Sequence, residues 1–383
     1  MKWRVPLSDV DFDHSEEQAV VNVIKSKWLT MGERTQEFEE MFAQFVGVRY
    51  AFAVSNATVA LHLACVSLDI GPGDEVIVPS LTFVATSNSI IYTGADPIFA
   101  EVGGNHDLNI SPDDIEKRIT PKTKAISVVH FAGYPCQMEK ITQISKKHNL
   151  ALIEDCAHGV GTYLHGKHVG GFGDVGCFSF FSNKNLSIGE GGMIVTNRDD
   201  LAEKFRWLRS HGMTSLTWDR HKGHAYSYDV IGLGYNYRMD ELRSALGISQ
   251  LAKLVKNNQR RQEITDQYFH DLSGIGLTFP FQAAAGQSAY HIFPILLPEN
   301  ADRKKFIDSM RNQEVQTSIH YPPIHKFSYY QEKYPHISLP LTEEIAAREV
   351  TLPLYPGMDS NHVQIVVAAV KLSLDQTVDG KVS

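Results

Sequence analysis

Long hydrophobic runs are missing from this 383-residue chain. No apolar stretch approaches the roughly 18 residues that a membrane-spanning helix needs, so no span is expected. Cysteine is scarce: Cys65, Cys136, Cys156 and Cys177 are scattered, with no C-x-x-C pair. That is too few for a disulfide framework and fits a reducing cytosol. Positive charge is also short. Lys plus Arg number 36 against 44 Asp plus Glu, a net charge of −8, which argues against a large surface tracking nucleic-acid phosphates. A local basic patch stays allowed. Internal repeats, low-complexity tracts and a Pro/Ser-rich linker are absent. The opening MKWRVPLSDVDFDHSEE turns acidic at once and has no apolar core of a signal peptide, so a cytoplasmic protein is expected. Hydrophobic residues at 43 % and charged residues at 21 % are ordinary for a globular chain, which excludes wholesale disorder.

The length allows two or three units, or one large domain with a smaller companion. Residues 35–46 put Phe38, Met41, Phe42 and Phe45 on one helical face. Short apolar strand patterns follow at 76–80, 97–102, 125–131 and 151–155. Helical patterns lie between them near 58–69, 82–92, 111–118 and 137–148. This alternation predicts βαβ units, an α/β fold with a mostly parallel sheet. The strands are apolar on both faces, as a sheet covered on both sides requires. Residues 199–210 read as a helix, 214–234 as a long polar and aromatic loop, and 239–270 as a long helix. Strands such as HIFPILL beyond it suggest a smaller α+β unit. The boundary is placed inside the long helix, giving a large domain at 1–250 and a small one at 251–383.

Three stretches could carry chemistry. Ser55-Asn56-Ala57-Thr58 precedes an apolar helix, and a helix start offers free N–H groups to phosphate; a plain capped helix is the ordinary alternative. Glu154-Asp155 ends an apolar strand, where α/β sheets bind ligands. A carboxylate there could pair with a protonated ring nitrogen, or simply cap a turn. In FSFFSNKNLSIGEGGMIVTN, residues 178–197, Lys184 follows an aromatic strand among Ser, Asn and Gly. Such a lysine is either a solvated charge or a desolvated amine with a lowered pKa, usable for a Schiff base. Together the three supply what pyridoxal phosphate requires: a phosphate anchor, a partner for the ring nitrogen and an amine for the aldehyde.

The motifs WLTMG at 28–32, GPGDEVIVPSLTFVATSN at 71–88, EDCAHGVGT at 154–162, FSFFSNKNL at 178–186, GEGGMIVTN at 189–197, LGYNYRMDEL at 233–242, HYPPIH at 320–325 and LPLYPGM at 352–358 run almost end to end. In this the chain resembles the DegT/StrS family of nucleotide-sugar aminotransferases, pyridoxal phosphate enzymes of fold type I. The resemblance implies that Lys184 binds the cofactor aldehyde and shuttles protons. It implies that Asp155 pairs with the ring nitrogen, His158 sits beside the ring hydroxyl and Phe83 stacks on the ring. Ala57, Thr58, Val59 and Ser179 would hold the phosphate; the family usually has Gly or Cys where Ala57 stands, although Ala57 keeps its N–H. Asn236 and Arg238 would reach the phosphate of a neighbouring subunit, which makes a homodimer with a shared site. Thr30, Tyr321 and His325 would face the sugar. Arg220, Lys222 and Arg238 are candidates to meet the diphosphate. No metal is expected.

By the same resemblance L-glutamate is the amino donor and the cofactor alternates with pyridoxamine phosphate. The acceptor is a keto-sugar on a nucleoside diphosphate, aminated at C4 of a 4-keto-6-deoxy sugar. Amination at C3 stays open, as does a sugar dehydratase, although some relatives that dehydrate carry His where this chain has Lys184. A regulatory protein on the same fold is the non-enzyme alternative, and intact Lys184 and Asp155 argue against it.

Overall fold

The computed structural model describes residues 3–214 and 227–377. The chain opens with α1 (His14–Ser26) and α2 (Glu33–Val46), then β1 (Tyr50–Val54) and α3 (Ala57–Ser67). The repeating units follow: β2 (Glu75–Pro79), α4 (Ala85–Ile91), β3 (Asp96–Ala100), a hairpin of β4 (Val102–Gly104) and β5 (Asp107–Ile110), α5 (Pro112–Lys117), β6 (Thr123–Val129), α6 (Met138–His148) and β7 (Ala151–Asp155). After a short β8 (Tyr163–Leu164) and β9 (Lys167–His168) come β10 (Val175–Ser179), β11 (Gly192–Thr196), α7 (Asp199–Leu208) and the long α8 (Glu241–Asp271). The chain continues with β12 (Phe293–Leu296), α9 (Arg303–Asn312), α10 (Ser328–Lys333), α11 (Pro340–Arg348), β13 (Glu349–Leu352) and α12 (Ser360–Asp375).

The central sheet has seven strands in the order β1-β11-β10-β7-β6-β2-β3. All pairs are parallel except those that β11 makes with β1 and β10. The α/β expectation is therefore met, and the predicted strands fall on β2, β3, β6 and β7. Successive side chains alternate between faces. Along β7, Ile153 packs with Leu61, Leu63 and Phe205 under α3 and α7, whereas Leu152 packs with Ile126, Ile141 and Ile144 under α6. A third cluster joins Phe38 and Phe42 of α2 to Phe178, Met193 and Leu254. Each such fully buried Phe contributes about 3–5 kcal/mol against truncation to alanine. The β12–β13 pair builds a separate core with α9, α12 and the second half of α8, through Ile264, Tyr268, Phe306 and Val366. One continuous helix, α8, contributes to both cores.

Two close approaches position the site. A Cβ on Gly192 would lie 2.6 Å from the Asn56 carbonyl carbon, so β11 and the start of α3 touch backbone to backbone. A Cβ on Gly247 would meet the Phe38 ring at 2.5 Å, so glycine lets α8 lie against α2. The α2 start has only Gly32 as its cap residue. Buried Glu241 at the head of α8 serves instead, accepting the N–H groups of Gly32, Arg34 and Thr35 at 2.8–2.9 Å.

Candidate active site

The site forms beyond the carboxyl ends of β7 and β10, with His291 and Tyr321 of the C-terminal part beside it. Glu154 and Asp155 are neighbours on β7 and so point to opposite faces. Asp155 faces the site. Its carboxylate accepts from the Thr86 hydroxyl at 2.8 Å and the Ala157 N–H at 3.1 Å. Burial raises its pKa, opposed by those hydrogen bonds and by the charge of Lys184. Glu154 turns the other way and is structural. It accepts from the N–H groups of Gly170, Phe172 and Gly173 at 2.6–2.7 Å and from His130 Nε2 at 3.1 Å.

Lys184 lies in the loop after β10, which is tied at its base by Phe180 N–H to Gly191 O and Ile188 N–H to Phe180 O. The residue is half-buried. Its amine lies 3.4 Å from His291 Nε2. Burial pushes its pKa down to about 8, although Asp155 pulls the other way. His158 is buried, takes the Ala132 N–H on Nδ1 at 3.3 Å and therefore carries its proton on Nε2, which reaches the Tyr321 hydroxyl at 3.1 Å. Burial, then the charges of Lys184 and His320, hold His158 well below the ordinary histidine range, so it stays neutral. Phe83 is 57 % exposed, with its ring 6.1 Å from that of Tyr321. A large apolar ring left open beside these polar groups is a surface for another flat ring.

The α3 start abuts Gly192 at the head of β11, the strand that follows the Lys184 loop. Asn56 caps it by accepting the Val59 N–H at 3.0 Å. Val59 thus has its donor taken, and the N–H groups of Ala57 and Thr58 have no acceptor among the described residues. Ser179 ends β10, its hydroxyl 3.3 Å from the Phe181 N–H.

The remaining residues are placed as follows. Tyr321 sits with His158 and Phe83. His325 has both ring nitrogens engaged within the chain, by Ser80 Oγ at 2.7 Å and Glu343 at 3.0 Å, and it is buried. It has no free nitrogen to offer a sugar. Thr30 is in the exposed turn before α2. Asn236 bridges Ser210, Arg238 donates to Ser210 Oγ at 3.1 Å, and Tyr237 O accepts the Ser55 N–H beside the α3 start. Arg220 and Lys222 lie outside the described residues. Sequence reasoning missed Thr86, although it stands three residues after Phe83 in TFVAT. It also missed His291, which no nearby motif announces.

A model of the DegT/DnrJ/EryC1/StrS aminotransferase family matches residues 10–371. The chain belongs to that family. It is 40 % identical over 364 residues to the Bacillus subtilis spore coat polysaccharide biosynthesis protein SpsC, covering 93 % of both chains. The solved structure of Helicobacter pylori PseC, an aminotransferase involved in the biosynthesis of pseudoaminic acid, is 30 % identical, with a TM-score of 0.90 and coverage of 98 % of this chain and 100 % of that one. The putative sugar aminotransferase Spr1654 from Streptococcus pneumoniae, solved in its pyridoxal phosphate form, is 25 % identical, with a TM-score of 0.90 over 97 % of this chain and 99 % of that one.

Enzymes of the DegT/DnrJ/EryC1/StrS family use pyridoxal phosphate, which brings together an aldehyde, a phosphate and a basic ring nitrogen. The residues present fit it. A desolvated amine, a buried carboxylate with no cation bonded to it among the described residues, two N–H groups open there on a helix start and an exposed Phe83 match its parts in turn. The protein is a pyridoxal-phosphate-dependent aminotransferase.

Proposed function

We propose that this enzyme moves an amino group from L-glutamate to a keto-sugar linked to a nucleoside diphosphate, at C4 of a 4-keto-6-deoxy sugar. The observation that carries the reading is the Lys184 amine, its pKa lowered to about 8, with the buried Asp155 acting on it. Bound pyridoxal phosphate supplies an electron sink next to the carbon that loses its proton. Lys184, once free, takes that proton as a base and returns it as an acid on the other side of the exchange. Asp155 would keep the ring nitrogen protonated, because its buried carboxylate, with no cation bonded to it among the described residues, would gain a partner there. His158 holds the ring hydroxyl, and Phe83 covers the ring face. Ala57, Thr58 and Ser179 bind the phosphate, with Val59 shaping the turn. The two substrates use one site in turn, so the kinetics are ping-pong.

Asn236 and Arg238 reach the phosphate of a second copy, making the working unit a homodimer in the cytoplasm. Residues 1–250 hold the cofactor, and 251–383 bring Tyr321 over it. Thr30 and Tyr321 contact the sugar. Relatives named for pseudoaminic acid and spore coat polysaccharide biosynthesis support a sugar acceptor.

The test supplies L-glutamate labelled with ¹⁵N and a series of nucleoside-diphosphate keto-sugars, and locates the label by NMR. Label at C4 is expected. Label at C3 would replace the regiochemistry, and loss of water without label would replace transamination with dehydration. The pH dependence has a definite sign. Lys184 must be neutral to attack the cofactor aldehyde, so capture of pyridoxal phosphate by the cofactor-free enzyme accelerates as pH rises through about 8 and then levels. Stopped-flow spectra across this range check it; a rate that falls with rising pH would rule out the neutral amine.

A further inference from the structure

The free Lys184 amine faces a hydrogen-bond chain whose direction is set by two backbone carbonyls. Carbonyls only accept. Asn258 Nδ2 donates to Val160 O at 3.0 Å, which orients that amide and turns its Oδ1 toward Asn185. Asn185 Nδ2 donates to Asn258 Oδ1 at 2.8 Å and to Ala289 O at 2.6 Å. Both donors of Asn185 are therefore spent on one side, and its Oδ1 faces His291 Nδ1 at 2.9 Å. An amide oxygen requires a donor, so the His291 proton sits on Nδ1. Nε2 is left bare, 3.4 Å from Lys184 Nζ. The ring is held in place by its bond to Asn185 and by the His158 ring, whose centre lies 4.4 Å from its own.

We propose that His291 is a positioning residue for the reaction: its bare Nε2 accepts a hydrogen bond from the Lys184 amine whenever that amine is free, and so holds the proton carrier in place between the two half-reactions. The proposal deepens the reading of Lys184 as the reacting amine. A neutral imidazole suits this task, because a second cation beside the ammonium would repel it. Burial, then the charge of Lys184, keeps His291 well below its ordinary range. The other groups acting on this amine are consistent with that arrangement. Asp155 attracts it, His158 is neutral, and burial lowers His320 to about 4.

The two amide variants separate the two ring nitrogens. His291→Asn keeps an amide atom near Nδ1 and nothing at Nε2; His291→Gln carries an acceptor out to the Nε2 position. The measurement is the pH titration of the Lys184 amine in the full-length enzyme freed of cofactor, by trace labelling with acetic anhydride and mass spectrometry of the Lys184 peptide. The wild-type midpoint is expected at about 8. His291→Asn is expected to lower it by about one pH unit, because an accepted hydrogen bond favours the charged amine. His291→Gln is expected to stay close to wild type. Equal midpoints for the two variants, or no shift in His291→Asn, would overturn the proposal. Should the Asn variant fail to fold, ¹⁵N NMR of histidine-labelled wild type decides instead, with His291→Gln assigning the signal. A protonated Nδ1 and a bare Nε2 support the proposal, and the opposite tautomer sinks it. The labelling reads the amine itself, so it is independent of whether Lys184 proves essential for turnover.

Discussion

Replacing Lys184 by alanine is expected to lower kcat by at least about 10³-fold, since it removes both the covalent anchor and the proton carrier. The fold should survive. Among the described residues Lys184 makes no ion pair, and its half-buried amine is a desolvated charge whose removal costs the native state little. Lys184→Arg should be equally inactive, because a guanidinium stays protonated and cannot act as a base. The check is single-turnover kinetics with donor, alongside circular dichroism of each variant. Normal kinetics in Lys184→Ala would remove the lysine from the chemistry.

The second large effect concerns stability and comes from the adjacent carboxylate. Glu154 is fully buried, and its two oxygens satisfy three backbone N–H groups of the 170–173 loop and the His130 ring. His130 Nδ1 accepts the Cys136 N–H at 3.1 Å, so its Nε2 proton points at Glu154. Burial alone would raise the Glu154 pKa; His130 and the loop N–H groups overcome it and hold the group ionised. Glu154→Leu would strand these donors in the interior. A loss of about 3–5 kcal/mol is expected in equilibrium unfolding, with Glu154→Gln milder because it keeps one acceptor oxygen. A Leu variant as stable as wild type would show that the loop finds other partners.

The contrast between these neighbours shows what could be read in advance. Alternation along a strand says that Glu154 and Asp155 face opposite ways, but only the packed sheet decides which meets the cofactor side. The four parallel strands β2, β3, β6 and β7 were legible because a doubly covered sheet makes them apolar on both faces. The α1 helix was overlooked although Asp13 and Glu16 form a capping box, a signal written in four residues. The Lys184 loop and the Asn56 start stood out because glycine, asparagine and serine cluster where backbone must come close. His291 and Thr86 gave no such signal. Their roles come from partners 107 and 69 residues away, which the chain brings together only when folded. His325 illustrates the converse: its motif suggested a sugar contact, while folding sets both ring nitrogens against Ser80 and Glu343.

The first measurement to make is the visible spectrum of the purified enzyme with pyridoxal phosphate, before and after L-glutamate, beside Lys184→Ala. The wild type should show the band of lysine-bound cofactor, glutamate should bleach it as pyridoxamine phosphate and 2-oxoglutarate form, and the variant should not complete that change. A wild-type enzyme that binds pyridoxal phosphate without that band, or a band that every amino donor leaves untouched, would mean that transamination through Lys184 is not what this site does.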